Sequence, residues 1–159
     1  MKKFLITYWL TIIILFTIFY WDISPIARII NHIQTDFISY TTSLLLDNGM
    51  MKNHEIIINK HYSLIIENAC NGMVPYLFFL SSIIAFPSTI KHKIVWSILG
   101  YITINIINIF RIWVITQMVL KSKSNFSLAH DWIGNILLIS VSLALFILFV
   151  KTRYNYKKG

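Results

Sequence analysis

Three residues of unlike chemistry interrupt an apolar background: Cys70, Arg111 and His130. Cys70 is the only cysteine and lies in Glu67-Asn68-Ala69-Cys70-Asn71-Gly72, where a polar, alternating stretch gives way to an apolar run. One thiol allows no internal disulfide, which leaves a free, intermolecular or reactive group. The thiolate is the nucleophile, and a position at a helix amino terminus lowers a cysteine pKa through the macrodipole and the free N–H groups. A neighbouring histidine can accept the proton and return it to a leaving amine. An arginine stays charged and can stabilise an oxyanion in a low-dielectric site. Brought together, the three would perform acyl transfer on a peptide at a membrane surface.

Each residue also has an ordinary explanation. A lone membrane cysteine is commonly a small apolar side chain. His130 could be an interfacial polar residue, and Arg111 could snorkel to the surface. Arg111 is the hardest to dismiss, because a charge inside a span costs at least ~2.5 kcal/mol on insertion scales. Tyr101, Asn105, Asn108 and Arg111 follow helical spacing and form a polar stripe. Asn108 lies one turn from Arg111 and could orient it; alternatively the stripe is an interhelical hydrogen-bond seam. His130 and Gly134 share a helix face, and the glycine permits close approach of a helix or a substrate backbone. Asp131 adjoins His130, but neighbouring helix positions point apart, so no triad role is expected for it. Glu67 could polarise His130 or bind a cationic substrate group; as a loop carboxylate it is more simply solvated.

The elements that must position these residues are membrane helices. Of 159 residues, 57% are hydrophobic, above the ~45–50% usual for soluble domains. The apolar residues are concentrated in runs at about residues 4–21, 72–87, 94–118 and 128–150, each read as a span. The net charge of +8 does not indicate nucleic acid. Lys2, Lys3, Lys91, Lys93, Lys151, Arg153, Lys157 and Lys158 flank the apolar runs as positive-inside anchors. The six acidic residues (Asp22, Asp36, Asp47, Glu55, Glu67 and Asp131) fall in stretches this topology puts outside. The expected architecture is a single all-α integral membrane domain, 1–159, of about four transmembrane helices with both termini cytoplasmic. The first helix lacks a small-residue cleavage site and is expected to stay attached.

Residues 22–70 form the expected extracytoplasmic segment. Ile26, Ile29, Ile30, Ile33, Phe37 and Leu44 fall near one helical face, with Arg28, Asn31, Gln34 and Asp36 elsewhere. This predicts an amphipathic helix over Ile23–Asp47, lying on the outer leaflet or packing over the bundle, with a tilted second span as the alternative. Asp47-Asn48-Gly49 is a turn. His54–Ile66 changes to an alternating pattern and predicts a short β-hairpin that delivers Cys70 to the outer surface. This topology brings Cys70, Arg111 and His130 to one depth at the outer face. No cofactor is expected, because one cysteine and scattered histidines make no metal constellation.

Ala69-Cys70-Asn71-Gly72, Asn108-Ile109-Phe110-Arg111, and His130 followed by Gly134 occur in this order on successive apolar runs. The sequence thereby resembles the exosortase/archaeosortase family of membrane-embedded cysteine transpeptidases, as a compact variant, from about Glu55 to the last span. The resemblance implies that Cys70 is the nucleophile and that Arg111 and His130 are the family's arginine and histidine. It implies cleavage of exported proteins bearing a carboxy-terminal sorting signal, made of a short motif, a transmembrane helix and a basic cluster. A Cys70 thioester would then pass to an amine, another surface acceptor or water. Many members carry serine after the cysteine, where this chain has Asn71, which bears on subfamily and substrate motif. Longer members carry further amino-terminal spans, so an accessory membrane protein is an expected partner together with membrane lipid.

Two other functions fit the same residues. In a non-enzymatic scaffold or assembly factor for an export or surface-polymer system, Arg111 and the asparagine stripe would bind another protein's helix. In an outer-leaflet lipid or glycan transferase, Arg111 would hold phosphate. Lipidation of Cys70 is not expected, because no lipobox-like apolar run precedes it.

Overall fold

A computed structural model describes residues 2–21 and 24–156, with side chains through Arg153. Asp22, Lys157 and Lys158, which entered the charge argument, and Ile23 lie outside the described residues. The chain is an all-α integral membrane protein with one small sheet. Helix α1 (Lys2–Phe19) and helix α2 (Pro25–Ser43) precede strands β1 (Met51–Lys52), β2 (Glu55–Asn59) and β3 (Tyr62–Ile65). A 3-10 turn (Asn68–Cys70) leads into α3 (Met73–Ala85) and α4 (Ile90–Lys121). A short α5 (Asn125–Ser127), a π-helical stretch (Leu128–Gly134) and α6 (Asn135–Tyr156) complete it.

Three helical stretches, Lys2–Phe19, Ile90–Lys121 and Asn125–Arg153, are long and apolar enough to cross a membrane. Helix α3 is apolar but has 13 residues, about 20 Å at 1.5 Å per residue against ~30 Å of hydrocarbon. It packs among α1, α4 and α6. Helix α4 has 32 residues and is about 48 Å long, so it exceeds one crossing. It begins between the second and third apolar runs, near Lys91 and Lys93, where the Thr89 hydroxyl caps it by accepting from His92 N–H.

Helix α2 packs over the bundle, against α1 and α4. Its start follows from Ser24, whose hydroxyl accepts from Ala27 N–H, and from Pro25 in the first turn. Its polar face turns inward: Asn31 and Gln34 are 1% and 4% exposed, while Ile29 and Ile33 are 61% and 62% exposed. This inversion has a simple cause. Lipid tails offer no penalty to isoleucine, whereas unsatisfied amides in hydrocarbon are costly, so the amides face protein. Gln34 Nε2 donates to Asn105 Oδ1 at 2.6 Å and to the Asn71 carbonyl at 3.1 Å. Tyr101 Oη donates to Gln34 Oε1 at 2.6 Å.

The expected hairpin is present and extended by β1 into a three-stranded antiparallel sheet of order β1-β2-β3. The Asp47–Met50 turn before it carries Gly49 at φ 86°. Side chains alternate as a half-buried sheet requires: Ile56 and Leu64 face inward, Ile57 and Ile65 outward. The inward face packs with Ile38 of α2 and with Ile109, Ile112, Ile115 and Val119 of α4. Truncating Ile56 to alanine there would cost about 2–5 kcal/mol. This apolar layer fixes the height at which the chain leaves β3 and enters the Cys70 turn.

Candidate active site

Cys70 ends the 3-10 turn two residues before Gly72, which caps α3. Asn71 sets the exit from this turn. Its side chain is fully buried, and Oδ1 accepts from Met73 N–H at 2.9 Å, satisfying an otherwise orphaned helix donor. Its Nδ2 donates to Thr35 Oγ1 at 3.4 Å and to Asn31 Oδ1 at 3.5 Å. Gly72 has φ 80°, a conformation that disfavours side chains. A Cβ there would also stand 3.3 Å from the Asn108 carboxamide. That closeness lets Asn108 Nδ2 donate to the Cys70 carbonyl at 2.8 Å. Asn108 therefore holds the cysteine carbonyl, and Asn71 fixes the turn that follows it.

His130 approaches from the last helical hairpin. Its Nε2 is 3.4 Å from Cys70 Sγ, and its Nδ1 is 2.9 Å from Asp131 Oδ1. An ionised carboxylate only accepts, so Nδ1 carries the proton donated to Asp131, and in the neutral imidazole the Nε2 lone pair then faces the thiol. The expectation that Asp131 points away from His130 is thus corrected. The reason is the π-helical stretch Leu128–Gly134. Its wider turn brings adjacent side chains closer in angle than an α-helix does. Ser127 Oγ donates to Asp131 Oδ2 at 2.8 Å, and the Phe126 ring stacks on the imidazole at a centroid distance of 5.2 Å.

Arg111 is 3% exposed on α4. Nη1 donates to Asn108 Oδ1 at 3.4 Å and Nη2 to Asn135 Oδ1 at 3.3 Å, while the buried Nε has no hydrogen-bond partner. Among the described residues no carboxylate comes within 4.0 Å of the guanidinium. Gly134 lies beneath its stem, where a Cβ would collide with Nε. Gly134 therefore makes room for the Arg111 side chain of the neighbouring helix α4.

Cys70, Arg111 and His130 line one cavity of about 380 Å³, walled on the apolar side by Ile112, Ile115 and Phe126. Exposed Glu67 stands at its margin, and its carbonyl accepts from Cys70 N–H at 2.8 Å. Burial pushes the Cys70 thiol above the ordinary cysteine range, opposed by the positive charge and hydrogen bonding of Arg111. This reverses the expectation of a helix-lowered pKa. Desolvation is the largest cause, because the cysteine sits inside the cavity wall, where the thiolate is disfavoured.

The polar stripe of α4 divides by depth. Tyr101 and Asn105 join Gln34 in the seam with α2, while Asn108 and Arg111 serve the site. Sequence reasoning did not pick out Asn135, Gln34 or Thr35. Asn135 had the same signal as Arg111, a polar residue in an apolar run. Gln34 and Thr35 were obscured because they sit on a polar face that ordinarily meets water. Among the described residues no group of three or more His, Cys, Asp or Glu could hold a metal ion.

The fold and the site define a multi-pass helical membrane protein with a cysteine–histidine pair beside a buried arginine. Residues 2–148 match the family described as transmembrane exosortase (Exosortase_EpsH). The chain is 33% identical over 131 residues to the probable archaeosortase D of Methanocaldococcus jannaschii, covering 82% of this chain and 80% of that protein. It belongs to the exosortase/archaeosortase family. No solved structure matches it.

Proposed function

We propose that this protein is a cysteine transpeptidase that cleaves carboxy-terminal sorting signals of exported proteins and transfers them to a surface acceptor. What carries this function is the 3.4 Å approach of Cys70 Sγ to His130 Nε2, beside a buried guanidinium without a carboxylate partner among the described residues. The thiol, kept neutral by burial, gives its proton to His130 as sulfur attacks the scissile carbonyl. Asp131 holds the imidazole in the accepting tautomer and stabilises the imidazolium. The new oxyanion supplies the negative charge that Arg111 lacks at rest, so their attraction is greatest in the transition state. His130 returns the proton to the leaving amine as the C–N bond breaks, leaving a thioester. An acceptor amine, or another acceptor, then attacks with His130 as base, and Cys70 leaves as the thiol.

Basic residues at Lys2, Lys3, Lys91, Lys93, Lys151 and Arg153 support cytoplasmic termini and an extracytoplasmic site in the plasma or inner membrane. The similarity to an archaeosortase supports the substrate class. The test is processing of a matching sorting-signal protein in a host expressing the full chain. Cys70→Ala should abolish it, and Arg111→Ala or His130→Ala should each reduce it by about 10²-fold or more. Normal processing by all three variants overturns the mechanism.

A further inference from the structure

Strand β3 pairs with β2 on one side only, because the sheet order is β1-β2-β3. The hydrogen bonds identify its other edge. Ile66 N–H donates to the His54 carbonyl at 2.8 Å, and Leu64 pairs with Ile56. Main-chain groups alternate along a strand, so those of Ser63 and Ile65 point away from β2. The cavity at Cys70 is lined by every residue from Tyr62 to Glu67. A cavity over one face of a strand would meet only alternate residues; a lining of six consecutive residues, together with inward-facing Ile56 of β2, spans the inner face and reaches the open edge of β3. The same cavity ends at Cys70 and His130, and α4 closes its far wall with Ile112 and Ile115.

We propose that this open edge of β3 seats the extended main chain of the peptide substrate, resting on the role of Cys70 given above. The occupant follows from the continuity of edge and thiol. Unpaired strand groups are satisfied by another extended chain, and β3 runs toward Cys70. The residues preceding the scissile bond therefore lie parallel to β3, directed by Ser63 and Ile65, and present the scissile carbonyl to Cys70 Sγ. Main-chain pairing supplies affinity that tolerates sequence, while Ile112, Ile115 and Phe126 select side chains on one face of the added strand.

The test uses the full chain in lipid nanodiscs and the probe acetyl-tetraalanine chloromethyl ketone. Its methylene carbon is attacked by Cys70 sulfur with loss of chloride, and its four residues lie entirely on the leading side. Four further probes each carry one N-methylated amide. Rates are divided by the iodoacetamide rate of the same protein, which reports thiol reactivity alone. Pairing to an edge predicts alternation, with N-methylation at every second position slowing modification about tenfold and the intervening positions having little effect. Ile65→Pro should slow the unmethylated probe to a similar degree, since it removes an outward N–H that β2 does not use. Uniform response to all four methylations, or a probe that fails to modify an iodoacetamide-reactive Cys70, overturns the proposal. The methylation series on the unaltered protein decides it even where Ile65→Pro fails to fold. Processing that survives Cys70→Ala would overturn the catalytic role, while an alternating series would still identify the peptide seat.

Discussion

Gly134 lies against the side chain of Arg111 so closely that a single added carbon would displace the guanidinium. Gly134→Ala should therefore act as a displaced-arginine variant while leaving Cys70 and His130 chemically intact. Processing should fall by about 10–10³-fold, while Cys70 should still label with iodoacetamide, slowed in the direction expected for the loss of Arg111. Steady-state kinetics beside thiol labelling measures both. Wild-type turnover in the alanine variant would mean that the placement of Arg111 is immaterial.

The thiol has a pH signature. Burial raises its pKa, so alkylation of the resting protein should inflect at a higher pH than free cysteine. Arg111 lowers the same pKa, so Arg111→Ala should move the inflection higher still and slow labelling at fixed neutral pH. Each unit of displacement is about a tenfold loss of thiolate. An inflection below that of free cysteine would indicate a preformed thiolate–imidazolium pair and contradict attack from a neutral thiol.

Asp131 contacts His130 Nδ1 at 2.9 Å. Asp131→Asn keeps the size but removes the charge that favours the imidazolium, and turnover should drop by about 10²-fold. His130→Ala combined with Asp131→Asn should be no worse than His130→Ala alone, because the aspartate acts through the histidine. An additive double-variant loss would assign Asp131 an independent task.

Asn71 is a turn-former whose side-chain amide has three partners, while its main-chain carbonyl accepts from Gln34. Asn71→Ala should destabilise the folded protein by about 1–2 kcal/mol, read as thermal unfolding in detergent. Asn71→Ser should recover part of that loss, since a hydroxyl can accept from Met73 N–H. Equal stability of the alanine and serine variants would remove the capping role.

Cys70, Arg111 and His130 were legible because each is chemically costly or unusual where it stands, and charge bias together with the lengths of the apolar runs put them at one depth. The hairpin before Cys70 was legible from its alternation, since lipid does not disturb a period of two. Helix α2 was legible as a helix, and the direction of its polar face was not. Water and lipid reverse which face is exposed, and periodicity is the same in both cases. Asp131 was misplaced for a different reason. A π turn leaves no mark in the pattern of apolar residues, yet it decides whether neighbours can share a hydrogen bond. The length of α3 shows a similar gap: Gly72 and Phe86 extend the apolar run, but they cap the helix and do not lengthen it.

The amide seam between α2 and α4 also dictates an order of events during synthesis. Gln34 finds its partners in Tyr101 and Asn105, which are 67 and 71 residues further along the chain. Until the ribosome has delivered α4 to the bilayer, Gln34 lacks these two partners, although Asn31 can already reach the Tyr20 carbonyl, and α2 is not apolar enough to insert as a span by itself. Assembly is therefore retroactive: an early helix waits for a late one. Because Asn71 is tied to the same seam, the cysteine turn reaches its final shape only after that late docking.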